Sequence, residues 1–470
     1  MRRRLEFDEG AKGFMILLLL SQLFFSNGGY LFFGAICLWI ILYNLQQPFK
    51  PTVFSIIFIF HFIQVAAGIW ESNYLDQDIN YRSDFTDTAT IVGFVGLIFL
   101  FAPIIYFQDK IPAVSRATLL RHAEKLSINK TFRAYLIAFF VMNALAGVAF
   151  VVGGLAQVIF SLINIKWFLF LLFGFQSILK NQRRKEFYFF AALEFLSGFY
   201  SYFSDFKTII FFLVFLYLCL LVTVSLKQMI VVVLALGGLF FAGVLWTSVK
   251  GEYRQFLNQG SRSQTVQVEK SDALDKLLEL SDKQDAKTFN GAVADFLDRF
   301  QYTYHLAKTM ERVPSVIPYQ EGKNWGETIS FVLTPRILNP NKPNYDASIK
   351  ATKYTGIRYA GARQGTSVSL GYFADGYIDF GLIGMFVPLL ILGFIYGKSY
   401  FYFVRKSSNN FLFNYAVVGA LYMEFFAFEM DSTFLLGRLF AGLLTFFMLK
   451  HFFFPRLIKY LAAPAVVPAT

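Results

Sequence analysis

The chain has 470 residues, of which 56% are hydrophobic, 19% aromatic and only 16% charged. Soluble domains carry about 25% charged residues, so this composition excludes a water-soluble enzyme, a disordered chain and a small secreted disulfide scaffold, and it requires lipid as the solvent. The formal net charge of +12 would suit either a nucleic-acid partner or the basic cytoplasmic loops of a membrane protein, and the positions of the charges decide between the two.

Apolar segments long enough to cross a bilayer, which takes about 20 helical residues, recur along most of the chain. The first two are separated only by Ser26–Gly29, a tight turn. Arg2–Arg4 precede the first segment and no small-residue cleavage site follows it, so we interpret it as a retained anchor rather than a signal peptide. About twelve spans are predicted, near residues 12–26, 28–45, 53–70, 89–107, 134–152, 155–178, 186–204, 208–226, 229–247, 377–397, 411–429 and 433–452.

Basic residues are concentrated in alternate connections between these spans. They lie at 2–4, in 108–133, in 180–185 and after the eighth, tenth and twelfth spans, whereas 71–88 on the opposite side is acidic. Cytoplasmic loops of membrane proteins carry the excess of Lys and Arg, so both termini are predicted to be cytoplasmic. The net charge then reports orientation, and no nucleic-acid partner is needed to explain it.

The predicted fold is an all-α polytopic membrane protein of about twelve transmembrane helices with one large, partly helical extracytoplasmic loop. Loops held by a rigid scaffold frequently carry function, so the functional site is expected on the outer face. The predicted organisation is nine helices within 1–247, the loop at 248–376, three helices within 377–452 and a cytoplasmic tail at 453–470.

The long loop has enough apolar residues to be ordered. Segments 271–281 and 291–313 have the spacing of amphipathic helices. The remainder, 314–370, is rich in Pro, Gly, Asn and Tyr, and is predicted to be irregular structure folded over a site.

The basic side chains of the loop are candidate ligands of a phosphorylated substrate, because a guanidinium binds phosphate through two parallel hydrogen bonds. Arg254 and Arg299 are each attached to an apolar element, which favours a fixed position. For each candidate the alternative is an ordinary solvated charge, since the loop holds nearly as many acidic residues. The basic candidates are Lys250, Arg254, Arg299, Arg336, Lys342, Arg358 and Arg363.

Small residues alternate with aromatic ones where the chain returns to the membrane, at 365–381. If a helix begins there, Asp375 and Asp379 share one face near its outer end. A carboxylate at that position can act as general base or hold an arginine; the alternative is a charge favoured by the dipole of the helix N-terminus. His305, in the loop, is a third candidate base.

Ionisable residues inside the spans are costly in lipid and ordinarily face a polar interior. Arg438 of the last span is predicted either to pair with Glu424, Glu429 or Asp431, or to bind substrate. Lys166 is predicted to form a pair in the helix interior or to line a cavity. The two cysteines and four histidines show no metal-ligand spacing, so no metal or other cofactor is predicted.

The arrangement resembles the O-antigen polymerases (Wzy-type), which polymerise oligosaccharide repeat units. Asp375–Gly384, preceded by the small residues of Thr366–Gly371, is similar to the family's acid–x–Tyr–x–x–Phe–Gly–x–x–Gly pattern. Leu338–Pro343 is similar to the Pro-Lys-Pro element before it, and Lys250–Arg254 to the Tyr/Arg end of the span before the loop. The motif resemblance covers about a third of the chain, roughly 248–385.

The resemblance implies a glycosyltransferase of the bacterial inner membrane. It would move a glycan from undecaprenyl diphosphate onto a lipid-linked repeat unit, with no metal or cofactor. The implied partners are the undecaprenyl-diphosphate-linked oligosaccharide, membrane lipid, a chain-length regulator and a flippase. The implied roles are Arg254, Arg299 and Arg336 on the leaving diphosphate, with Arg358 and Arg363 as further candidates, His305, Asp375 or Asp379 as base, and Tyr302 and Tyr377 stacked on sugar rings.

Two alternatives remain open. An O-antigen ligase has similar anatomy and the same donor chemistry, but transfers finished chains to the lipid A core. A flippase or secondary transporter would also have about twelve spans, although such proteins are commonly built from internal repeats and the two halves of this sequence show no clear similarity.

Overall fold

The computed structural model describes residues 4–151, 156–199, 206–260, 267–282, 286–334, 339, 341–343, 345–361, 367–425 and 428–464. These residues form helices and one two-stranded parallel ladder, β1 (Glu6–Phe7) with β2 (Thr223–Val224). The helices are α1 Glu9–Ser21, α2 Gly28–Leu45, α3 Val53–Tyr74, α4 Thr86–Asp109, α5 Arg116–Glu124, α6 Ile128–Val151, α7 Ala156–Lys180, α8 Arg184–Phe199, α9 Phe206–Leu220, α10 Leu226–Leu257, α11 Lys270–Asp282, α12 Ala286–Phe300, α13 Thr303–Arg312, α14 Lys323–Leu333, α15 Ala347–Thr355, α16 Tyr372–Gly384, α17 Phe386–Lys406, α18 Phe411–Tyr422, α19 Ser432–Phe452 and α20 Phe454–Leu461.

Within the described part of the chain, seven helices are long and apolar enough to cross a membrane: α2, α3, α4, α7, α10, α17 and α19. Two shorter apolar helices, Thr208–Leu220 and Phe411–Phe425, add to them. The helical membrane class predicted from composition is confirmed, while a total of twelve spans stays a prediction.

Close packing of aromatic and small residues holds the central helices together. The ring of Phe54 on α3 lies 5.9, 5.2 and 5.1 Å from those of Tyr396, Tyr400 and Tyr422. Gly393 of α17 lies so close to α4 that an added Cβ would be 2.1 Å from the carbonyl oxygen of Leu100. Small residues at such contacts let helix backbones approach, which is how helices associate in lipid.

Helix α10 stands apart from this bundle. Only 6% of its apolar window is buried inside the protein, and it packs mainly on α11 and α12, with α1 near its start. It also extends to Leu257, ten residues past the span end predicted at 247. The predicted start of the loop at 248 therefore falls inside a continuous helix.

The span predicted at 377–397 is divided in the structure. Its first part belongs to the short helix α16, and the long apolar helix α17 begins only at Phe386. The helical path breaks at Gly381, whose φ of 68° and ψ of −168° lie in a region that favours glycine. An added Cβ there would also lie 3.1 Å from the Tyr319 ring.

The loop is more regular than predicted. The expected helix at 271–281 is present as α11, but the one expected at 291–313 is two helices, α12 and α13. They separate at Gln301, whose amide donates to the Glu71 carboxylate, and at Tyr302, whose N–H donates to the Gln64 carbonyl 3.3 Å away. The segment expected to be irregular contains α14 and α15.

Candidate functional site

Two buried carboxylates meet where the loop helices join the last long helix. Asp375 of α16 is 0% exposed, and Asp431, directly before α19, is 1% exposed. Oδ1 of Asp375 lies 2.6 Å from Nζ of Lys350 on α15. Oδ2 accepts hydrogen bonds from the backbone N–H and the hydroxyl of Ser432, at 2.8 and 2.6 Å. Asp375 therefore ties together α15, α16 and α19.

Asp431 is the N-cap of α19. Its Oδ1 accepts from the N–H of Phe434 at 3.0 Å, and its Oδ2 accepts from the hydroxyl of Tyr345. Burial raises the pKa of Asp431 to about 6; the nearby Asp375 carboxylate raises it and Lys350 opposes the rise. A pKa near neutrality suits a group that exchanges protons during a reaction. We call Asp375, Asp431, Lys350, Tyr345 and Ser432 the carboxylate cluster.

An open cleft of about 600 Å³ lies near this cluster, between α14 and the residues Asn339, Lys342 and Pro343. Phe331 lines it, and the Phe331 ring lies 5.8 Å from that of Tyr345, which in turn contacts Asp431. The polar and charged side chains lining the cleft are Lys323, Glu327, Ser330, Thr334, Asn339 and Lys342. A ligand in the cleft would thus contact Phe331, which packs against the tyrosine of the cluster.

Asp379 lies one turn from Asp375 on α16 but contacts a different element. It is 1% exposed and accepts from the N–H groups of Asn324 and Trp325 at 3.2 and 2.8 Å. These amides belong to the first turn of α14, where helix N–H groups have no intrahelical partner. Asp379 therefore caps α14 across space. Its predicted role as a base remains untested, and the structure gives it a structural contact.

His305 lies on α13 in a group of aromatic rings. Its Nδ1 is 3.0 Å from the hydroxyl of Tyr359, and the rings of Tyr302 and Tyr359 lie 5.3 and 5.7 Å from the imidazole. Loss of solvation lowers the pKa of His305 to about 4, so the imidazole is neutral at pH 7. Its Nε2 has no hydrogen-bond partner among the described residues. A general base must be unprotonated before it accepts a proton, so the neutral imidazole agrees with the role predicted for His305.

We call His305, Tyr302 and Tyr359 the histidine group. Polar contacts fix this group to the bundle. The Gln64 side chain donates to Glu429 and accepts from the N–H of Phe428 at 2.7 Å, joining α3 to the turn before α19. Nearby, Arg82 pairs with buried Glu71 at 3.3 Å and with Asp298. These contacts hold the junction of α12 and α13 on the end of α3.

The structure distributes the predicted arginines over separate elements. Arg254 is half-buried on α10, as is Lys250, whereas Arg299 is exposed at the end of α12. Arg358 is exposed directly before Tyr359, the hydrogen-bond partner of His305. Arg336 and Arg363 lie outside the described residues. Among the predicted arginines that the structure describes, Arg358 is thus the one adjacent in sequence to a residue of the histidine group.

Two further predicted ligands have partners within the fold. The ammonium of Lys342 donates to the carbonyl of Thr334 at 2.9 Å and to that of Phe331, at the end of α14. The hydroxyl of buried Tyr377 donates to the carbonyl of Val313 at 2.9 Å. These contacts account for both residues without a ligand, and substrate roles for them stay predictions.

Among the described side chains Arg438 forms no ion pair at contact distance, although its charge interacts electrostatically with the Glu424 carboxylate. Glu424 instead accepts from the amide of Asn164 at 2.6 Å, Glu429 from Gln64, and Asp431 from Tyr345. Arg438 itself is exposed on α19. The pair predicted for Lys166 is confirmed: its ammonium lies 2.9 Å from the carboxylate of Glu194, with both side chains buried.

Sequence reasoning did not identify the carboxylate cluster as one site. It did not single out Lys350 or Tyr345, and it considered Asp431 only as a possible partner of Arg438. The Asp-Ser pair directly before a long apolar helix is the usual N-cap pattern and would have placed Asp431 at a helix end. No group of side chains in the described parts of the chain is arranged to hold a metal ion.

Comparison with known proteins gives a family without an assigned activity. No curated protein and no solved structure matches the chain. Residues 80–454, well over half of the chain, match a family described as a domain of unknown function, DUF8712. That range includes the carboxylate cluster and the histidine group. The chain is therefore a member of the DUF8712 family.

Proposed function

We propose that this protein polymerises oligosaccharide repeat units carried on undecaprenyl diphosphate, at the outer face of a bacterial inner membrane. In this proposal the chain crosses the membrane twelve times with both termini in the cytoplasm. The helices α11–α15 and the carboxylate cluster then lie on the outer side, where lipid-linked repeat units are exposed after translocation.

The observation that carries the proposal is the carboxylate cluster. It joins loop helix α15 to the N-terminus of α19, a membrane-crossing candidate, and this junction supports a site that a lipid anchor and its polar sugar can both reach. Asp431 has a pKa of about 6 and contacts Tyr345, whose ring packs against Phe331 in the wall of an open cleft. Perturbed ionisable groups beside a cleft are frequent at functional sites.

The proposed step is one glycosyl transfer. The acceptor hydroxyl loses its proton to Asp431, directly or through the Tyr345 hydroxyl, as its oxygen bonds to the anomeric carbon of the donor sugar. The bond from that carbon to the diphosphate oxygen breaks, and undecaprenyl diphosphate leaves with the electron pair. General base catalysis of this kind contributes about 10²–10⁴-fold.

His305 and Arg358 fit a supporting role in this reaction. A neutral imidazole flanked by Tyr302 and Tyr359 offers a surface for sugar rings and hydroxyl groups. The exposed guanidinium of Arg358 is suited to a phosphate. His305 remains the alternative base, and the two assignments predict different variants to be inactive.

The test is complementation of a deletion strain, with surface glycan separated by electrophoresis. Wild-type protein is expected to restore a ladder of chain lengths, while the deletion leaves single capped repeat units. Asp431→Asn should give the deletion pattern at normal protein level, because the amide keeps an acceptor for the helix cap but cannot take up the proton. His305→Ala should retain a reduced ladder.

Asp272→Asn is the matched control, because Asp272 is an exposed aspartate on α11 of the same loop. It should restore the full ladder. A deletion that leaves a bare core would show a ligase instead, and one with an unchanged ladder would exclude both transferase functions.

A further inference from the structure

We infer that a cavity at one end of the helical bundle binds an anionic phospholipid, with Arg184 on the lipid phosphate. The cavity measures about 580 Å³, within the roughly 300–1,000 Å³ that is usual for sites that hold one small molecule. Its walls come from the end of α7, the start of α8, the end of α9, the strand β2 and the start of α10. Both α7 and α10 are long and apolar enough to cross a membrane. Because α7 ends and α10 begins at the cavity, the cavity lies at the depth of a membrane surface.

The inner wall of the cavity is apolar. It is formed by Ile178 of α7, Phe187 of α8, and Leu213, Leu216 and Leu220 of α9. Phe187 and Leu216 are buried in the core of the bundle, so this wall has a fixed position. These side chains offer no hydrogen bonds, and a polar group placed against them would lose its own. The wall therefore suits a hydrocarbon chain, and acyl chains are the hydrocarbon present at this depth.

Arg184 supplies a cation at the rim of the same cavity. Its guanidinium donates a hydrogen bond to the carbonyl of Ile178 at 3.2 Å, and both residues line the cavity. The neighbouring carboxylate of Glu186 pairs with Arg183 instead, at 3.0 Å, and within the described part of the chain Arg184 forms no ion pair. Its remaining N–H groups are therefore available to two oxygens of a phosphate.

Two tyrosines complete the polar rim. The hydroxyl of Tyr217 accepts from the side-chain amide of Gln228 at 3.1 Å, and both residues line the cavity. A hydroxyl that accepts this bond still has its own proton to donate, which suits a phosphate or ester oxygen of a lipid. Tyr188, also in the wall, is exposed like Tyr217. Tyrosines are enriched at the boundary between lipid and water, where an acyl chain and its headgroup part.

The charge around the cavity selects an anionic headgroup. Residues 180–186 hold four basic side chains and one acidic side chain, a net charge of +3. Lys227, next to Gln228, adds one positive charge, and Glu6, which pairs with Thr223 of β2, offsets it. Basic side chains at a membrane surface attract anionic lipids and repel the ammonium of a zwitterionic headgroup. The occupant is therefore a phospholipid whose only headgroup charge is its phosphate, as in phosphatidylglycerol.

The bound lipid also supports α10. Only 6% of the apolar window of this helix is buried inside the protein, and its main contacts are with α11 and α12. A lipid in the cavity lies between α9 and the start of α10, so it joins α10 to the bundle at the end away from α11. In the proposed topology this end faces the cytoplasm, so the occupant is a lipid of the inner leaflet rather than the transferase substrate.

The test uses the full-length protein in detergent, with retention of added lipid measured by native mass spectrometry. The probes are phosphatidylglycerol and phosphatidylcholine with the same acyl chains, and the wild type should retain the first more tightly. Arg184→Gln is expected to lower phosphatidylglycerol retention about 5-fold or more, as for the loss of one basic contact with an anionic lipid. Leu213→Trp, which fills the apolar wall, should lower it without changing the charge. Lys185→Gln is the matched control, because Lys185 is exposed and adjacent in sequence but does not line the cavity; it should retain wild-type binding.

Equal retention of the two lipids by the wild type, or wild-type retention of phosphatidylglycerol by Arg184→Gln, overturns the inference. Equal losses in Arg184→Gln and Lys185→Gln would show a general attraction to basic residues and overturn it as well. If Leu213→Trp does not give folded protein, the other two variants decide, because both change exposed side chains. The assay requires no glycosyl transfer, so failure of the proposed polymerase function would leave this binding result intact.

Discussion

Two buried groups of charges in this molecule differ in their balance. Lys166 and Glu194 form one ammonium and one carboxylate, 2.9 Å apart, completed by Tyr135 at 3.2 Å and Asn143 at 3.1 Å. The carboxylate cluster holds two carboxylates for a single ammonium. A balanced, fully hydrogen-bonded pair fixes helices relative to one another, whereas an unbalanced cluster has a proton that it can bind or release near neutral pH.

Replacing the ammonium of each group is expected to show this difference most strongly. Lys350→Met leaves Asp375 buried without its counter-ion, which costs about 3–5 kcal/mol of stability and should abolish polymer formation. Thermal denaturation in detergent and the glycan ladder measure the two effects. The double variant Lys350→Met/Asp375→Asn should recover stability but not the ladder. Recovery of the ladder as well would show that Lys350 and Asp375 are only structural and would leave the reaction to Asp431.

Lys166→Met should cost about the same stability, because it also strands a buried carboxylate. Polymer formed per amount of folded protein is expected to stay at the wild-type level, since this pair takes no part in proton transfer. The ladder, normalised to protein recovered after size exclusion, measures it. A ladder that disappears while folded protein remains would place the pair in the reaction.

The pH dependence should follow Asp431. Burial raises its pKa to about 6 from an ordinary value of about 3.9, so the folded chain holds this proton more tightly than the unfolded chain. Its contribution to stability is complete below about pH 4 and is lost as the pH rises through about 6. Polymerisation needs the deprotonated form and should rise over the same interval.

Initial rates and melting temperatures measured from about pH 4.5 to about pH 8 test these opposite dependences of rate and stability on pH. Asp431→Asn should remove the pH-dependent change in melting temperature. If the inflection near pH 6 persists in that variant, another group carries it.

Asp379→Asn is expected to have the smallest effect. The amide oxygen still accepts one of the two N–H groups at the start of α14, so the loss should be about 1 kcal/mol, as for a weakened helix cap. The ladder should remain. A loss of polymer at normal stability would support the catalytic role predicted for Asp379 from the sequence.

The sequence was sufficient for the helical membrane class and for α11. These follow from composition and local spacing, which depend on neighbours along the chain. It was not sufficient for the break at Gly381, because the Asp375–Gly384 segment reads as continuous apolar helix until Tyr319 is packed against it.

The carboxylate cluster escaped prediction for a different reason. Lys350, Asp375 and Asp431 lie far apart in the chain and meet only when α15, α16 and α19 pack together. The raised pKa of Asp431 depends on that burial and cannot be read from its neighbours in sequence.

The most direct measurement is polymer formation by purified protein in nanodiscs supplied with undecaprenyl-diphosphate-linked repeat units. Wild-type protein should produce a ladder of products at pH 7, and Asp431→Asn should slow it by about 10²-fold or more while retaining a folded, monodisperse protein. An Asp431→Asn protein that polymerises at the wild-type rate, or wild-type protein that forms no polymer, would contradict the central role given to the carboxylate cluster.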